Sequence, residues 1–295
     1  MLNFKKLELH DIDIIKPYFL KSNSRICDNT IGGVFMWRDY FCVEFTEFND
    51  TLIFKVSVKY HGGITAFSFP LGRDLPGSFC EIEKYCSNEG IPIAFCTVTK
   101  DDITVLKSYF DGIEAHKEEN WSDYIYKASD LISLSGRKFG GQRNHINYFK
   151  KENPNYLFEE ITNGNIGEVK EFFNHFAVNR DNDIFAEEQS KTSEVLENYT
   201  AYGLIGGLLR VNGRVAAFSV GEICGEVLYV HIEKADVSIR GVYQVTVNEF
   251  AKRFVNEKVE LINREEDVGD EGLRKSKLSY HPCEIVEKYI CKIYN

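Results

Sequence analysis

Residues 204–233, LIGGLLRVNGRVAAFSVGEICGEVLYVHIE, predict three consecutive antiparallel strands. Asn212 and Gly213 are a strong signal for a two-residue hairpin turn, because both residues tolerate positive φ. A Cys-Gly pair marks the second turn. Because side chains alternate along a strand, we expect His231 and Glu233 to share one face of the third strand.

Further helices and strands are predicted on both sides of this meander. Residues 164–177 and 187–202 predict two helices before it. After it, Val247, Phe250 and Ala251 recur at the spacing of a buried helix face. The remaining predicted elements are a strand at 260–263, a short helix at 270–278 and a last strand at 285–293.

This order of elements is typical of a GNAT-like N-acyltransferase fold, and the first half of the chain shows a looser version of it. We therefore expect an α/β (α+β) protein of two tandem GNAT-like domains with mixed, largely antiparallel sheets. The predicted boundaries are 1–130 for the N-terminal domain, 131–155 for a basic linker and helix, and 156–295 for a C-terminal domain with the active cleft.

Composition excludes several classes of protein. The 295 residues are 43% hydrophobic and carry a formal net charge of -10, which argues against broad, unspecific nucleic-acid binding but leaves room for a local basic patch. The 8 cysteines show no CxxC spacing, so we expect reduced core thiols and no metal site. No apolar run approaches the length of a membrane helix, and we expect a cytoplasmic protein.

Residues 261–282, LINREEDVGDEGLRKSKLSYHP, concentrate charge directly after a predicted strand. Loops at strand ends are common ligand sites in α/β proteins, although an internal salt-bridge network would have the same composition. A carboxylate here could hold an amino group, and an arginine a carboxylate or phosphate. The candidate substrate-binding residues are Asn263, Arg264, Glu265, Glu266, Asp267, Arg274 and Lys277.

Three residues are candidates for acid–base catalysis. Acyl transfer needs a base for the nucleophile and an acid for the leaving group. Either Glu233 or His231 could be the base, unless their strand face is merely solvated. Tyr280 could donate a proton to the leaving group, or could be an ordinary packed tyrosine.

A basic segment, residues 135–151 (SGRKFGGQRNHINYFKK), predicts a phosphate-binding surface. Its loop becomes a helix near residue 142, and a solvated helix face is the alternative interpretation. A second possible phosphate contact lies where the helix after the meander begins. The candidate donor-binding residues are Arg137, Lys138, Arg143, Asn147, Lys150, Arg240, Gly241 and Gln244.

Several stretches carry a resemblance to a known family. They are SGRK (135–138), RNHIN (143–147), GGLLRVNG (206–213), INRE (262–265) and SYHP (279–282). These stretches resemble the DUF2156 family, which is similar to the cytosolic C-terminal domain of bacterial phosphatidylglycerol lysyltransferases. The resemblance implies transfer of an aminoacyl group from charged tRNA to a small-molecule or lipid-headgroup acceptor. Because we predict no membrane-spanning segment in this sequence, the resemblance does not extend to lipid specificity.

The chain departs from acetyl-CoA-dependent GNAT enzymes at the phosphate loop. The sequence of that loop in those enzymes is roughly Gln/Arg-x-x-Gly-x-Gly/Ala. In this chain Tyr243 and Val245 occupy the two positions where those enzymes have a small residue. Acyl-CoA therefore stays an alternative donor to aminoacyl-tRNA. A binding module without catalysis, for an anion, a nucleotide or a lipid headgroup, is the alternative function.

Overall fold

The computed structural model describes residues 2–58, 63–177 and 183–294. Its helices are α1 Ile12–Lys21, α2 Ile31–Trp37, α3 Leu75–Glu89, α4 Lys100–Leu106, α5 Ala128–Ser133, α6 Gly140–Glu152, α7 Ile166–Ala177, α8 Asp183–Glu197, α9 Tyr199–Tyr202, α10 Val242–Phe254 and α11 Glu271–Leu278. Its strands are β1 Lys5–Lys6, β2 Glu44–Phe48, β3 Thr51–Val58, β4 Ile64–Phe67, β5 Leu71–Gly72, β6 Ala94–Val98, β7 Gly112–Lys117, β8 Asp123–Lys127, β9 Leu157–Glu160, β10 Ile205–Val211, β11 Arg214–Cys224, β12 Val227–Ala235, β13 Leu261–Asn263, β14 Glu284–Val286 and β15 Tyr289–Tyr294. Among these described helices, none has the length and apolar character needed to cross a membrane.

The chain forms two compact units, and each unit is assembled from separated segments. Unit 1 comprises Met1–Asp123, Glu266–Asp270 and Ile285–Asn295, and unit 2 comprises Tyr124–Glu265 and Glu271–Glu284. The predicted domains were continuous in sequence, with boundaries at 130 and 156, and they differ from these units. The predicted linker, 131–155, lies within unit 2, and the last strand lies within unit 1.

Unit 1 is built on one mixed sheet with an aromatic core. The strand order is β1-β2-β3-β4-β6-β15-β7, with β5 on β3. β4 and β6 are parallel, whereas β15 is antiparallel to both β6 and β7. Phe67, Phe79 and Phe95 are buried in its core, where the Phe95 ring contacts both of the others.

Unit 2 contains the predicted meander. Its strands follow the order β8-β13-β12-β11-β10-β9, in which only β12 and β13 are parallel among the described pairs. Asn212 and Gly213 have φ of 51° and 79°, as the hairpin turn requires. The prediction of an α/β chain with mixed, largely antiparallel sheets is therefore confirmed.

Helices cover both faces of the unit 2 sheet. Phe172 and Phe173 of α7 pack against Phe218 on one face. On the other face, α10 packs against the sheet and against α5 and α6. Asn248 of α10 donates to the carbonyl oxygens of Leu131 (2.7 Å) and Ile132 (2.8 Å), which satisfies the end of α5.

A β-bulge at His231 changes which side chains of β12 share a face. Val220 pairs with Ile232 but Gly221 pairs with Val230, so β12 has one extra residue at this point. The extra residue shifts the alternation by one position. Leu228 and Val230 before the bulge therefore share the α10 face with Glu233 and Ala235 after it.

The expectation that His231 and Glu233 share a face is wrong for this reason. Gly221 was the available signal, since a glycine inside a strand often marks a bulge or a close approach. A Cβ at Gly221 would overlap the carbonyl oxygen of Tyr229 on the neighbouring strand.

The glycine before α10 is explained by helix packing. Gly241 has φ of 85°, and a Cβ on it would overlap the carbonyl oxygen of His145 in α6. We expect Gly241→Ala to destabilise the protein by about 3 kcal/mol, from the left-handed φ and the overlap together. The matched control is Gly213→Ala, because Gly213 also has positive φ but a Cβ added there would meet no atom within 4 Å.

That control should cost about 1 kcal/mol, from φ alone. Urea unfolding of both variants measures the difference. Equal costs for the two substitutions would contradict the close packing of α6 against the start of α10.

Candidate functional site

Unit 2 has a small cleft between its sheet and helices α5 and α10. The space inside it is about enough for a single water molecule. Glu233 and Arg264 are the two charged residues of its lining. The other lining residues are Leu131, Val230, Val247, Phe250, Ala251 and Ile262. The cleft is thus apolar apart from one acid and one base.

Glu233 and Arg264 form an ion pair in this cleft. Both Nε (3.1 Å) and Nη2 (2.6 Å) of Arg264 donate to Oε2 of Glu233. The Arg264 side chain is 7% exposed, and burial works against its charge, but Glu233 raises the pKa of Arg264 above its ordinary value. Among the described residues, Nη1 of Arg264 is buried and has no hydrogen-bond partner. A buried guanidinium N–H without a partner is costly, and a ligand oxygen could satisfy it.

Ser219 adds a second unsatisfied polar atom beside the pair. It is the cross-strand partner of Glu233, so its side chain leaves the sheet on the same face. Its hydroxyl is buried and has no hydrogen-bond partner within the described part of the chain. A bound water molecule or a polar group of a ligand could satisfy each of these atoms.

Tyr280 lies against the same guanidinium. Its ring centroid is 4.9 Å from Cζ of Arg264, and the ring of Tyr126 is 5.9 Å away. Burial raises the pKa of Tyr280 to about 12, against the opposing effect of Arg264. The hydroxyl therefore keeps its proton near neutral pH and is available as a donor.

Asn263 and Lys277 shape the turn that carries Arg264. The Asn263 side-chain oxygen accepts from the backbone N–H of Glu265 (2.6 Å), which adopts a φ of 57°. Lys277 of α11 is buried, and its ammonium donates to the carbonyl oxygens of Arg264 and Glu265. Both residues were predicted to bind substrate, but these contacts give them a structural role.

His231 is enclosed between two carboxylates. Its Nδ1 lies 2.6 Å from Glu265 Oε1 and its Nε2 lies 2.9 Å from Glu222 Oε1. The imidazole is completely buried and stacks on Tyr229 at 6.4 Å. Burial alone would lower the pKa of His231, but the two carboxylates outweigh it and raise the pKa to about 10.

A histidine with both nitrogens protonated and donating has no lone pair for a nucleophile's proton. The prediction that His231 is a general base therefore disagrees with its surroundings. The carboxylate of Glu265, predicted to bind substrate, is occupied by the same contact.

The predicted phosphate-binding residues are mostly engaged within unit 2. Lys138 donates to Asp130 (2.9 Å), Lys150 pairs with Glu249 (3.4 Å), and Arg143 donates to the carbonyl oxygen of Gly136 (2.6 Å). Of the others, Arg240 is exposed and its guanidinium stacks on the Tyr148 ring at 4.4 Å. Arg137 and Asn147 are exposed, and Gln244 and Arg274 are half-buried.

Glu266 and Asp267, the other predicted substrate residues, belong to unit 1. Oδ1 of Asp267 accepts from the N–H of Gly269 (2.9 Å), and the Asp267 side chain is buried. Glu266 contributes to a buried cluster around Lys288, which the sequence did not indicate.

The Lys288 cluster contains Cys27, Asp28, Asp123, Glu266 and Lys288, all in unit 1. The Lys288 ammonium lies 2.5 Å from Asp28, 2.8 Å from Asp123 and 3.3 Å from the Cys27 sulfur. Burial opposes its charge, but the carboxylates hold the pKa of Lys288 well above its ordinary value. Burial and the same carboxylates raise the pKa of Cys27, so the thiol is protonated and unreactive.

Cys27, Asp123 and Glu266 have the donor atoms and proximity of a metal site. Lys288 already supplies positive charge to the same carboxylates. A cation would have to displace that ammonium, so the residues fit an internal ion-pair cluster better than a metal centre.

The contacts of His231 with two carboxylates predict that the stability of the protein depends on pH. The pKa is about 10 in the folded protein and near 6.5 in the unfolded chain, so the folded state binds the extra proton between these values. The stabilisation is complete below about pH 6.5 and is lost as pH rises through about 10. We expect the melting temperature of wild type to fall more steeply than that of His231→Gln over this window.

Thermal unfolding at intervals from about pH 6 to pH 10.5 measures the two curves. The other titrating groups are common to both proteins, so the difference between the curves reports His231. If the melting temperatures of the two proteins changed in parallel with pH, the result would contradict a charged imidazole bound by both carboxylates.

The Lys288 cluster predicts a different variant effect. Lys288→Met removes the cation from three carboxylates and should destabilise the protein by about 3–5 kcal/mol at neutral pH. Lowering the pH protonates the carboxyl groups that have lost their counter-charge, so part of the stability should return near about pH 5. Urea unfolding at about pH 5 and about pH 7.5 tests this, with Lys292→Met as the control from the adjoining strand. A loss of the same size at both pH values would contradict the electrostatic explanation.

Comparison with known proteins gives the family. The family model described as "Phosphatidylglycerol lysyltransferase, C-terminal" matches residues 21–292. A conserved protein of unknown function from Bacteroides thetaiotaomicron is 34% identical, with full coverage of both chains and a TM-score of 0.93. The C-terminal DUF2156 domain of a putative lysylphosphatidylglycerol synthetase from Agrobacterium fabrum is 12% identical over 97% of this chain and 92% of that one, with a TM-score of 0.70.

A curated relative matches over a shorter length. An uncharacterised protein from Mycoplasmoides gallisepticum, MYCGA3080, is 25% identical over 206 residues. The match covers 65% of this chain and 64% of that relative, which is less than two thirds of its length. The family match extends over most of the described residues of both units, and the two solved structures share the fold of this chain. The chain therefore belongs to the family of phosphatidylglycerol lysyltransferase C-terminal domains.

Proposed function

We propose that this protein is an aminoacyltransferase that moves an aminoacyl group from charged tRNA to an amine or hydroxyl acceptor, and that the Glu233–Arg264 pair of unit 2 contacts the aminoacyl group. One observation carries the proposal. Among the described residues, the Glu233–Arg264 pair leaves one acceptor, Oε1 of Glu233, and one donor, Nη1 of Arg264, without partners.

These two atoms complement an aminoacyl ester. Such an ester carries an α-ammonium group close to a carbonyl oxygen, so it offers a cation for Glu233 and an acceptor for Arg264. In the transition state the carbonyl oxygen becomes an oxyanion, and a fixed guanidinium N–H stabilises it more than the ground state. A simple acetyl group has no ammonium and would use only half of this arrangement.

Tyr280 has the properties of a proton relay for this step. The acceptor nitrogen or oxygen attacks the ester carbon, the new bond forms, and the bond to the ribose oxygen breaks. Tyr280, with its pKa raised to about 12, donates its proton to the departing oxygen and regains one from the nucleophile. Its position against Arg264 puts the hydroxyl-bearing ring beside the group that binds the carbonyl.

The packing of α6 favours aminoacyl-tRNA over acyl-CoA as the donor. A pyrophosphate bound at the start of α10 would need open space at Gly241. The carbonyl oxygen of His145 and the side chain of Phe149 fill that space. The exposed Arg137, Arg240 and Asn147 remain as phosphate contacts, and the Arg240–Tyr148 stack suits a nucleobase or ribose-phosphate end.

Binding without catalysis is the second candidate function. It is favoured by the engagement of both predicted bases, since His231 donates to two carboxylates and Glu233 accepts from Arg264. In that case the protein would retain an aminoacyl group or a related ligand and release it unchanged. Saturable binding without product would distinguish it from transfer.

The first test is transfer of radiolabel from tRNA charged with a mixture of labelled amino acids. Vesicles of phosphatidylglycerol and, separately, a small-molecule cell extract serve as acceptors. We expect label to leave tRNA for one acceptor, and Arg264→Met to lower the rate about 100- to 1000-fold, as loss of an oxyanion donor does. Glu233→Gln should mainly raise KM, because it weakens ammonium binding.

Arg253→Met is the matched control, since Arg253 is an exposed arginine of α10 outside the cleft. If Arg264→Met folds poorly, Arg264→Lys is the second variant. Lysine keeps the positive charge but lacks the forked N–H donors of arginine, so this variant separates the effect of charge from that of hydrogen-bond geometry. Undiminished transfer by a folded Arg264 variant would remove the cleft from the mechanism. Absence of label transfer to either acceptor would contradict the proposed function.

A further inference from the structure

We infer that one water molecule is bound inside unit 2, between the guanidinium of Arg264 and the carboxylate of Glu233. Both residues line the small cleft between the sheet and helices α5 and α10. The inference concerns the free protein, so it holds whether or not the pair contacts an aminoacyl group. In the proposed function, the aminoacyl group replaces this water at the pair.

The size of the cleft gives the first argument. Its interior has room for about one water molecule and is too small for a larger group. A buried water in a protein needs this much volume and roughly two to four polar partners. The cleft therefore meets the requirement of volume.

The polar atoms of the ion pair give the second argument. Oε2 of Glu233 accepts both hydrogen bonds from Arg264, so Oε1 is left to accept another. Nη1 of Arg264 is buried and has no hydrogen-bond partner among the described residues. Because water both donates and accepts, one molecule can donate to Oε1 and accept from Nη1.

The apolar wall of the cleft gives the third argument. The six other lining residues are buried and have no polar side-chain atom: Leu131, Val230, Val247, Phe250, Ala251 and Ile262. Their side chains therefore offer the pair no hydrogen bond. A wholly apolar space of this kind stays dry, whereas buried polar groups without partners retain water. An unsatisfied N–H on a buried charged group is costly, and a single water removes that cost.

A high-resolution crystal structure of the free protein tests the inference directly. We expect one ordered water at about 2.6–3.2 Å from both Nη1 of Arg264 and Oε1 of Glu233. Well-ordered side chains with no density between these atoms would overturn the inference. A direct bond from Nη1 to another protein group would overturn it as well.

Val247→Ile tests the inference in solution, because it adds one methyl group to the wall of the same cleft. The methyl group should displace the water and leave two polar atoms unsatisfied, which raises the unfolding equilibrium constant about 10-fold. The matched control is the same substitution in a Glu233→Leu/Arg264→Met background. An apolar pair offers a water no hydrogen bond, and apolar replacement of a buried ion pair is commonly tolerated.

Urea unfolding of these proteins forms a double-mutant cycle, in which the cost of crowding the wall is common to both backgrounds. A larger loss of stability with the ion pair than without it supports the bound water. Equal effects in both backgrounds, or a gain of stability in the wild-type background, would indicate a dry cleft and overturn the inference. If the apolar background folds poorly, the crystal structure decides.

Neither measurement depends on transfer activity. A water found at the pair in a protein that transfers no label would leave this inference intact while the proposed function fails. Transfer of label by a protein with a dry cleft would overturn the inference and leave the proposed function standing.

Discussion

A three-residue turn at the end of β13, residues 263–265, fixes the charge arrangement of unit 2. Asn263 holds the backbone of Glu265 in a left-handed conformation, and Lys277 binds the carbonyl oxygens of the turn. Consecutive side chains then meet different partners, because Arg264 pairs with Glu233 and Glu265 pairs with His231. The end of β13 therefore supplies a cation to one face of β12 and an anion to the other. A displaced turn would break both ion pairs together.

The bulge in β12 makes this double pairing possible. In a regular strand His231 and Glu233 would project on the same side and would compete for one neighbouring charge. The extra residue separates them, so Glu233 joins the apolar α10 face while the imidazole meets Glu222 and Glu265. Gly221 is required opposite, since a side chain there would overlap the backbone of β12.

Local sequence signals were sufficient for the meander and α10, and they singled out Glu233, Arg264 and Tyr280, which are neighbours in the structure. Turn chemistry at Asn212 and Gly213 and the 3.6-residue apolar period of α10 depend on nearby residues alone. The contacts of His231 and Lys277 depend on tertiary partners that no local pattern indicates. The Lys288 cluster joins residues as far apart as 27 and 288, and no local pattern reports such contacts. The assignments of catalytic and binding roles stay predictions.

The Glu233–Arg264 pair contributes little to stability by itself. A buried ion pair gains little over well-packed apolar residues, because desolvation offsets the attraction between the charges. This pair is also incomplete, since Nη1 of Arg264 and the hydroxyl of Ser219 are buried without partners in the described chain. Apolar side chains in the same positions would avoid those costs and extend the surrounding core. The pair therefore has capacity for a further interaction, and in the proposed function the ammonium and carbonyl oxygen of an aminoacyl group use it.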